Sequence, residues 1–242
     1  MNIAVIMAGG RGERMRLSYP KQFALLRGIP LAAYSLKAFS EHKDIDGIFV
    51  VCDPSWREKF TEITEKYCKD KFLGYILPGK TRRESSKNAI DTLYVRYAPD
   101  TVVLLHDAAR PGVTDKIISA NLEGVKKTGA ACTAIKCRDT MCVSESGTLG
   151  EDVRRDNVVA LQTPQTFYLG KIKEAHDNYE EKKKRGEFVP DITDDTGLVK
   201  FMGGKVVTVQ GAFSNMKVTE PGDLEMLEGS IFENEVKKEE NN

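Results

Sequence analysis

Neither sign of charge is in excess in this sequence: 36 lysines and arginines are met by 36 aspartates and glutamates. A protein that grips a nucleic-acid backbone neutralises many phosphates and carries a basic surplus, so the balance argues against a nucleic-acid partner. Any anion site has to be local, built from a few cations drawn to one cleft. Long apolar runs are also missing. No stretch reaches the roughly 18 residues that cross a bilayer, which argues against a membrane partner. The opening Met-Asn-Ile-Ala-Val-Ile-Met-Ala-Gly-Gly has neither the basic leader nor the cleavage site of a signal peptide. Cysteine is sparse: Cys52, Cys68, Cys132, Cys137 and Cys142 are odd in number and form no C-x-x-C pair. That pattern argues against a zinc site or a disulfide framework. It predicts a reduced, cytoplasmic setting in which cysteines on apolar runs serve as small core hydrophobes. Internal repeats are absent.

What is present suits one large α/β domain. The chain has 242 residues, 40% of them hydrophobic and 30% charged, enough to bury a sizeable core. Short β-rich apolar runs at 3–7, 47–52, 72–77, 101–106 and 130–136 alternate with amphipathic stretches at 31–39, 54–67, 83–97 and 114–128. Near-continuous apolar strands between helices predict a Rossmann-like, three-layer α/β fold with a mostly parallel sheet. Residues 137–162 break this rhythm. They read either as a β-arm projecting from the sheet, of the kind that embraces a second subunit, or as a long surface loop. Beyond them the pattern predicts a helix over 168–179, a short helix after Asp191, a strand over 205–209 and a last helix over 220–232. The domain is thus expected to span 1–232, followed by a polar tail over 233–242.

The candidate chemistry gathers after strand ends. Ala8-Gly9-Gly10-Arg11-Gly12-Glu13-Arg14-Met15 directly follows the first strand. The carboxyl end of a parallel strand is where open α/β sheets bind ligands, and glycines let backbone N–H groups approach phosphate. By itself the loop is either a tight turn or a phosphate cradle. It is no dinucleotide fingerprint, because Met15 stands where the third glycine belongs, and no P-loop, because Gly-Lys-Ser/Thr does not follow. A nicotinamide oxidoreductase is disfavoured accordingly. Pro20-Lys21-Gln22-Phe23 comes next, so Arg11, Arg14 and Lys21 flank one glycine turn. Cations so placed can hold a triphosphate and stabilise charge developing in transfer; a solvated charge cluster explains them less well. His106-Asp107-Ala108-Ala109-Arg110-Pro111 closes the fourth strand. Asp107 is a candidate Mg²⁺ ligand, Arg110 a candidate phosphate ligand, and His106 is read as structural rather than as a base. Thr193-Asp194-Asp195 can cap a helix, and Lys217 in Asn215-Met216-Lys217-Val218-Thr219 is a further candidate phosphate ligand.

Taken in order with Arg138-Asp139-Thr140-Met141 and Gln162-Thr163-Pro164-Gln165, these segments cover nearly the whole chain. The set resembles the 2-C-methyl-D-erythritol 4-phosphate cytidylyltransferases of isoprenoid biosynthesis. It is also similar to their relatives, the ribitol-5-phosphate cytidylyltransferases of cell-wall polymer synthesis. The resemblance implies transfer of a cytidylyl group from CTP to a small polyol phosphate, with Mg²⁺ bridging the triphosphate. It implies that the glycine loop, Arg14, Lys21 and Lys217 bind the phosphates, with Arg14 and Lys21 stabilising the pentacoordinate α-phosphate. Cytosine is then expected near Ala8, Gly9, Gly10 and Gly79, with Arg82 and Ser85 beside it. Asp107, Ala108, Arg110, Thr193 and Lys217 are expected around the polyol phosphate. Thr140 and Arg155 on the arm are expected to reach a neighbouring subunit's site, making a homodimer. Two positions depart from the family pattern. Pro78-Gly79-Lys80 replaces a glycine pair or acidic residue, and Cys142 stands where a basic residue is common. Ala109 favours methylerythritol phosphate as the acceptor, whereas Trp56 favours ribitol 5-phosphate. A reading of another class is a non-catalytic nucleotide-binding module, against which the joint presence of Arg14, Lys21 and Lys217 speaks.

Overall fold

The computed structural model describes residues 1–10 and 12–229. In chain order its strands are β1 (Asn2–Met7), β2 (Leu25–Leu26), β3 (Ile29–Pro30), β4 (Gly47–Val51), β5 (Phe72–Ile76), β6 (Val102–Asp107), β7 (Ala130–Lys136), β8 (Met141–Glu145), β9 (Thr148–Val153), β10 (Val159–Tyr168) and β11 (Val207–Gln210). Its helices are α1 (Leu31–Glu41), α2 (Arg57–Tyr67), α3 (Arg82–Tyr94), α4 (Asp115–Thr128), α5 (Leu169–Lys184), α6 (Asp195–Phe201) and α7 over 222–229.

Seven strands form the central sheet in the order β11-β7-β10-β6-β1-β4-β5. All neighbours are parallel except β10, which runs antiparallel to both β6 and β7. Period-two alternation along β1 splits its side chains between two cores. Ala4 and Ile6 join Leu36, Phe39, Phe60 and Ile118 beneath α1, α2 and α4. Ile3 and Val5 join Ile90, Leu93, Ile172 and Leu198 beneath α3, α5 and α6. This is the expected three-layer, mostly parallel α/β fold. A third, smaller cluster sets Met15 and Val218 against Leu227 of α7.

The predicted strands and helices recur with shifted ends; the helix expected over 83–97 is α3, and the strand expected over 205–209 is β11. Of the last helix expected over 220–232, the described part is 222–229, and the tail expected over 233–242 lies outside the described residues. The largest departure is β10. Gln162, Pro164 and Gln165 speak against an interior strand, because Pro cannot donate to a ladder. The register shifts between Leu161 and Gln165, around the cis Thr163–Pro164 bond, so the proline falls where ladder pairing is interrupted. Thr133 Oγ1 donates to the Pro164 carbonyl at 2.9 Å. Within 137–162, β8 and β9 form a separate two-stranded hairpin around Ser146 and Gly147, both at positive φ. The hairpin is the β-arm of the two readings; residues 159–162 already run within β10.

Candidate functional site

Register sets the site. Met7 pairs with Asp107 across β1 and β6, and with Val51 across β1 and β4. The loops leaving these strand ends therefore meet, and between them lies a cleft of about 790 Å³. One wall is the glycine turn. Gly12 has φ +70°, and a Cβ there would stand 2.8 Å from Lys21 Cγ, so only glycine lets the lysine stem cross the turn. A Cβ at Gly10 would meet no protein atom within 4 Å, so the space beside it belongs to the cleft. Ala8 and Gly9 complete this wall, with Arg14 exposed at its far end. Gln22 Nε2 donates to the Ala8 carbonyl at 2.7 Å and ties the turn to the segment carrying Lys21.

The opposite wall is Gly79 and the start of α3. Thr81 caps that helix by accepting from Glu84 N at 3.1 Å. Ser85 Oγ accepts from Gly79 N at 3.0 Å and donates to the Thr81 carbonyl at 2.8 Å. The hydroxyl is thereby committed to shaping the loop, while Arg82 enters the cleft.

The floor is Asp107 with Ala108. Lys217 Nζ lies 2.9 Å from Asp107 Oδ2, Arg110 Nε 3.5 Å from the same oxygen, and Arg82 Nε 3.7 Å from Oδ1. Burial opposes the charge of this carboxylate, but Lys217, then Arg82 and Arg110, hold its pKa well below the usual range. Arg110 lies beneath the floor and donates through Nη1 to the Asn215 carbonyl at 3.0 Å. Burial lowers its pKa against the pull of Asp107.

Lys217 reaches this place because its segment is pinned. Val218 N donates to the Ala109 carbonyl at 2.8 Å, and Lys21 Nζ donates to the Val218 carbonyl at 2.6 Å. Burial, reinforced by the charge of Lys217, lowers the Lys21 pKa to about 8. His106 is fully buried, facing Thr163 Oγ1 at 3.1 Å and the Arg110 carbonyl at 3.2 Å. Burial lowers its pKa to about 4, so it is neutral at pH 7 and holds the loop.

Ala8, Gly9, Gly10, Gly12, Arg14, Lys21, Gly79, Arg82, Ser85, Asp107, Ala108 and Lys217 thus converge on one cleft. Arg11 lies outside the described residues. Thr193 is exposed and lies outside the cleft lining. Thr140 and Arg155 lie on the exposed arm, away from the cleft of their own chain; Arg155 Nη1 donates to the Arg138 carbonyl at 3.2 Å. Sequence reasoning passed over Gln22, Asp53, Lys80, Thr81 and Thr219, which also line the cleft. Gln22 and Thr81 were within reach, as neighbours of the glycine turn and as the first half of a Thr-x-x-Glu capping pair.

A crevice at the carboxyl edge of a mostly parallel sheet, with cations inside and a glycine turn at its lip, defines an α/β protein built to hold a polyanion. Comparison with known proteins narrows that class. The chain belongs to the 2-C-methyl-D-erythritol 4-phosphate cytidylyltransferase family, whose model matches residues 2–232. The protein of that name from Clostridium novyi is 34% identical over 235 residues, covering 96% of this chain and 97% of its own length. A ribitol-5-phosphate cytidylyltransferase from Streptococcus agalactiae is 31% identical over 229 residues, covering 94% of this chain and 93% of its own. The crystal structure of a 4-diphosphocytidyl-2C-methyl-D-erythritol synthase from Anaerococcus prevotii matches with a TM-score of 0.80 and 26% identity, covering 96% of both chains.

Proposed function

We propose that this chain is a CTP-dependent nucleotidyltransferase that joins the cytidylyl group to 2-C-methyl-D-erythritol 4-phosphate and releases pyrophosphate. The observation that carries the reading is the meeting of Lys21 and Lys217, 196 positions apart, in the cleft beside Arg14 and above Asp107. The acceptor is a phosphate and already anionic, so its oxygen attacks the α-phosphorus without a general base. The neutral, buried His106 is consistent with that. What the protein supplies is alignment and positive charge: Arg14 and Lys21 at the α-phosphate, Lys217 between the two substrates. Positioning of this kind contributes on the order of 7–11 kcal/mol.

The nucleoside occupies the side of Ala8 to Gly10, Gly79, Arg82 and Ser85, with Gly12 toward the phosphates. The polyol phosphate lies over Asp107, Ala108 and Arg110, with Thr193 at its margin. Magnesium belongs to the substrate here. Among the described residues no three His, Cys, Asp or Glu side chains cluster to hold a metal. Asp107 is already faced by Lys217, Arg82 and Arg110, so its carboxylate does not fit as a metal ligand, and an ion carried in by the triphosphate would be held by phosphate oxygens. Bound there, the ion would neutralise phosphate charge.

Residues 1–232 form one catalytic domain, and the working unit is a homodimer in which Thr140 and Arg155 complete the partner's site. Its support is the exposed apolar side chains of the arm, Met141, Val143, Leu149 and Val153. The five cysteines are unpaired, which suits a reducing cytoplasm. Among the described residues no helix is long and apolar enough to cross a membrane.

One observation bears on ribitol 5-phosphate as the acceptor. Ala109 lines the cleft, whereas Trp56 packs on Phe23, ring centroids 5.4 Å apart, and lines an adjoining pocket that shares Ala8, Gly9, Gly10, Gln22 and Asp53 with the cleft. Ala109 sits beside Asp107 and Ala108, on the side assigned to the polyol phosphate, whereas the pocket of Trp56 adjoins the side assigned to the nucleoside. Pyrophosphate release with CTP and each polyol phosphate in parallel tests this. Faster turnover with 2-C-methyl-D-erythritol 4-phosphate is expected; faster turnover with ribitol 5-phosphate overturns the acceptor, and release with neither overturns the enzyme.

A further inference from the structure

Directly behind the cleft lies a second carboxylate that does not line it. Asp195, the first residue of α6, is fully buried. Its Oδ2 accepts from Arg82 Nη1 at 2.5 Å, and its Oδ1 accepts from Ser86 Oγ at 2.5 Å. Its backbone N–H donates to Gln165 Oε1 at 3.2 Å, and Gln165 Nε2 donates to Asp194 Oδ2 at 2.9 Å. Asp194 in turn caps α6 through Gly197 N at 2.8 Å. His176 Nε2, buried and without a hydrogen-bond partner, stands 3.5 Å from Asp195 Oδ1. Thus α3 and α5 converge on one acidic side chain of α6, while β10 holds its backbone.

Arg82 is the only one of these groups that also reaches the cleft. Its guanidinium lies between two carboxylates, with Asp195 behind and Asp107 in front. Burial works against its charge, and Asp195, then Asp107, more than offset that, raising its pKa above the ordinary value. Burying a carboxylate is costly, and removing one partner of such a pair costs more still because the other charge is stranded. Without Asp195, the arginine would keep one carboxylate partner, Asp107, already engaged by Lys217 and Arg110. The guanidinium would be drawn toward the floor and away from the nucleoside wall formed by Gly79 and Ser85.

We propose that Asp195 is a positioning residue for nucleotide binding, holding Arg82 against the nucleoside wall and balancing its charge from behind so that it does not collapse onto Asp107. This rests on the cytidylyl-transfer reading. The role predicts a change in binding rather than in chemistry, because Arg82 meets substrate and transition state alike.

The test is steady-state kinetics on Asp195→Asn, Arg82→Gln and their double variant, with CTP affinity measured by calorimetry. Asp195→Asn is expected to raise the KM and Kd for CTP about tenfold, with kcat within about threefold. Arg82→Gln is expected to do the same, and the double variant no more than the worse single one, since both remove one device. An unchanged KM in folded Asp195→Asn, or effects that multiply in the double variant, would overturn the role. Should Asp195→Asn fail to fold, Ser86→Ala decides. It leaves the ion pair and removes one hydrogen bond, so a rise in KM of a few fold is expected, and an unchanged KM overturns the proposal. Wild-type pyrophosphate release is the control that keeps this outcome apart from a failure of the cytidylyl-transfer reading itself.

Discussion

The cleft and the hairpin arm are held in opposite ways. In and beneath the cleft, Asp107, Asn215 and Gln162 are buried and fixed by partners distant in sequence. Asn215 Nδ2, for example, donates to the Thr163 carbonyl at 2.8 Å, and Gln162 Nε2 donates to the Ala212 carbonyl at 2.9 Å. The arm is a two-stranded sheet of its own, and all residues of β9 are exposed. A lone hairpin is marginal in water, and this one shows solvent an apolar side. The difference teaches that the charges of the cleft are preorganised within one chain, while the arm leaves apolar side chains in water. In the homodimer proposed above, a second copy would cover them.

Three experiments would sharpen or break this contrast. The largest effect is expected in the cleft. Lys21→Ala should lower turnover by about two to three decades, the loss typical of one well-placed donor at developing charge. Thermal melting should move little by comparison, and a melting temperature that fell in step with activity would make Lys21 structural.

A smaller effect is expected from the arm. Arg155→Ala should weaken use of the polyol phosphate about ten- to a hundredfold, as for loss of a charged hydrogen bond of about 1.5–3 kcal/mol. Circular dichroism and melting should be unchanged, since Arg155 is exposed and its side chain donates to the Arg138 carbonyl within the arm. Normal acceptor kinetics in this variant would remove the arm from the site.

The smallest effect is one of pH. The Lys21 pKa of about 8 means that the free enzyme loses this cation as pH rises through 8. Only the protonated amine attracts phosphate, so kcat/KM for CTP should fall about tenfold between pH 7 and pH 9. A flat profile there would show that the lysine keeps its proton and that the burial argument fails.

Much of the cleft was legible in the sequence because each piece follows an apolar strand. The glycine turn after Met7 and the His-Asp-Ala-Ala-Arg-Pro segment ending β6 lie at the same sheet edge for that reason alone. Strand β10 was not legible, since its polar residues serve the site: Thr163 Oγ1 accepts from Asp107 N at 3.0 Å. A polar, proline-bearing run looks like a loop until partners on both sides account for its side chains. Asp195 was hidden for a related reason. A Thr-Asp-Asp triplet before a helix looks like a cap, and Asp194 is one; nothing local says that its neighbour turns inward to an arginine 113 positions earlier.

From the order of residues alone came the alternation of buried strands and helices, the position of the glycine turn and the family. Burial periodicity and turn chemistry are written over a few neighbouring residues, and the motifs keep their order whatever the packing. Folding in space was needed to choose which charges face each other: Lys217 over Asp107, Lys21 on the Val218 carbonyl, Arg82 between two acids. Lys217–Asp107, Lys21–Val218 and Arg82–Asp195 join points more than 100 positions apart, and sheet order and register bring them within the few ångströms over which a charge-assisted hydrogen bond acts.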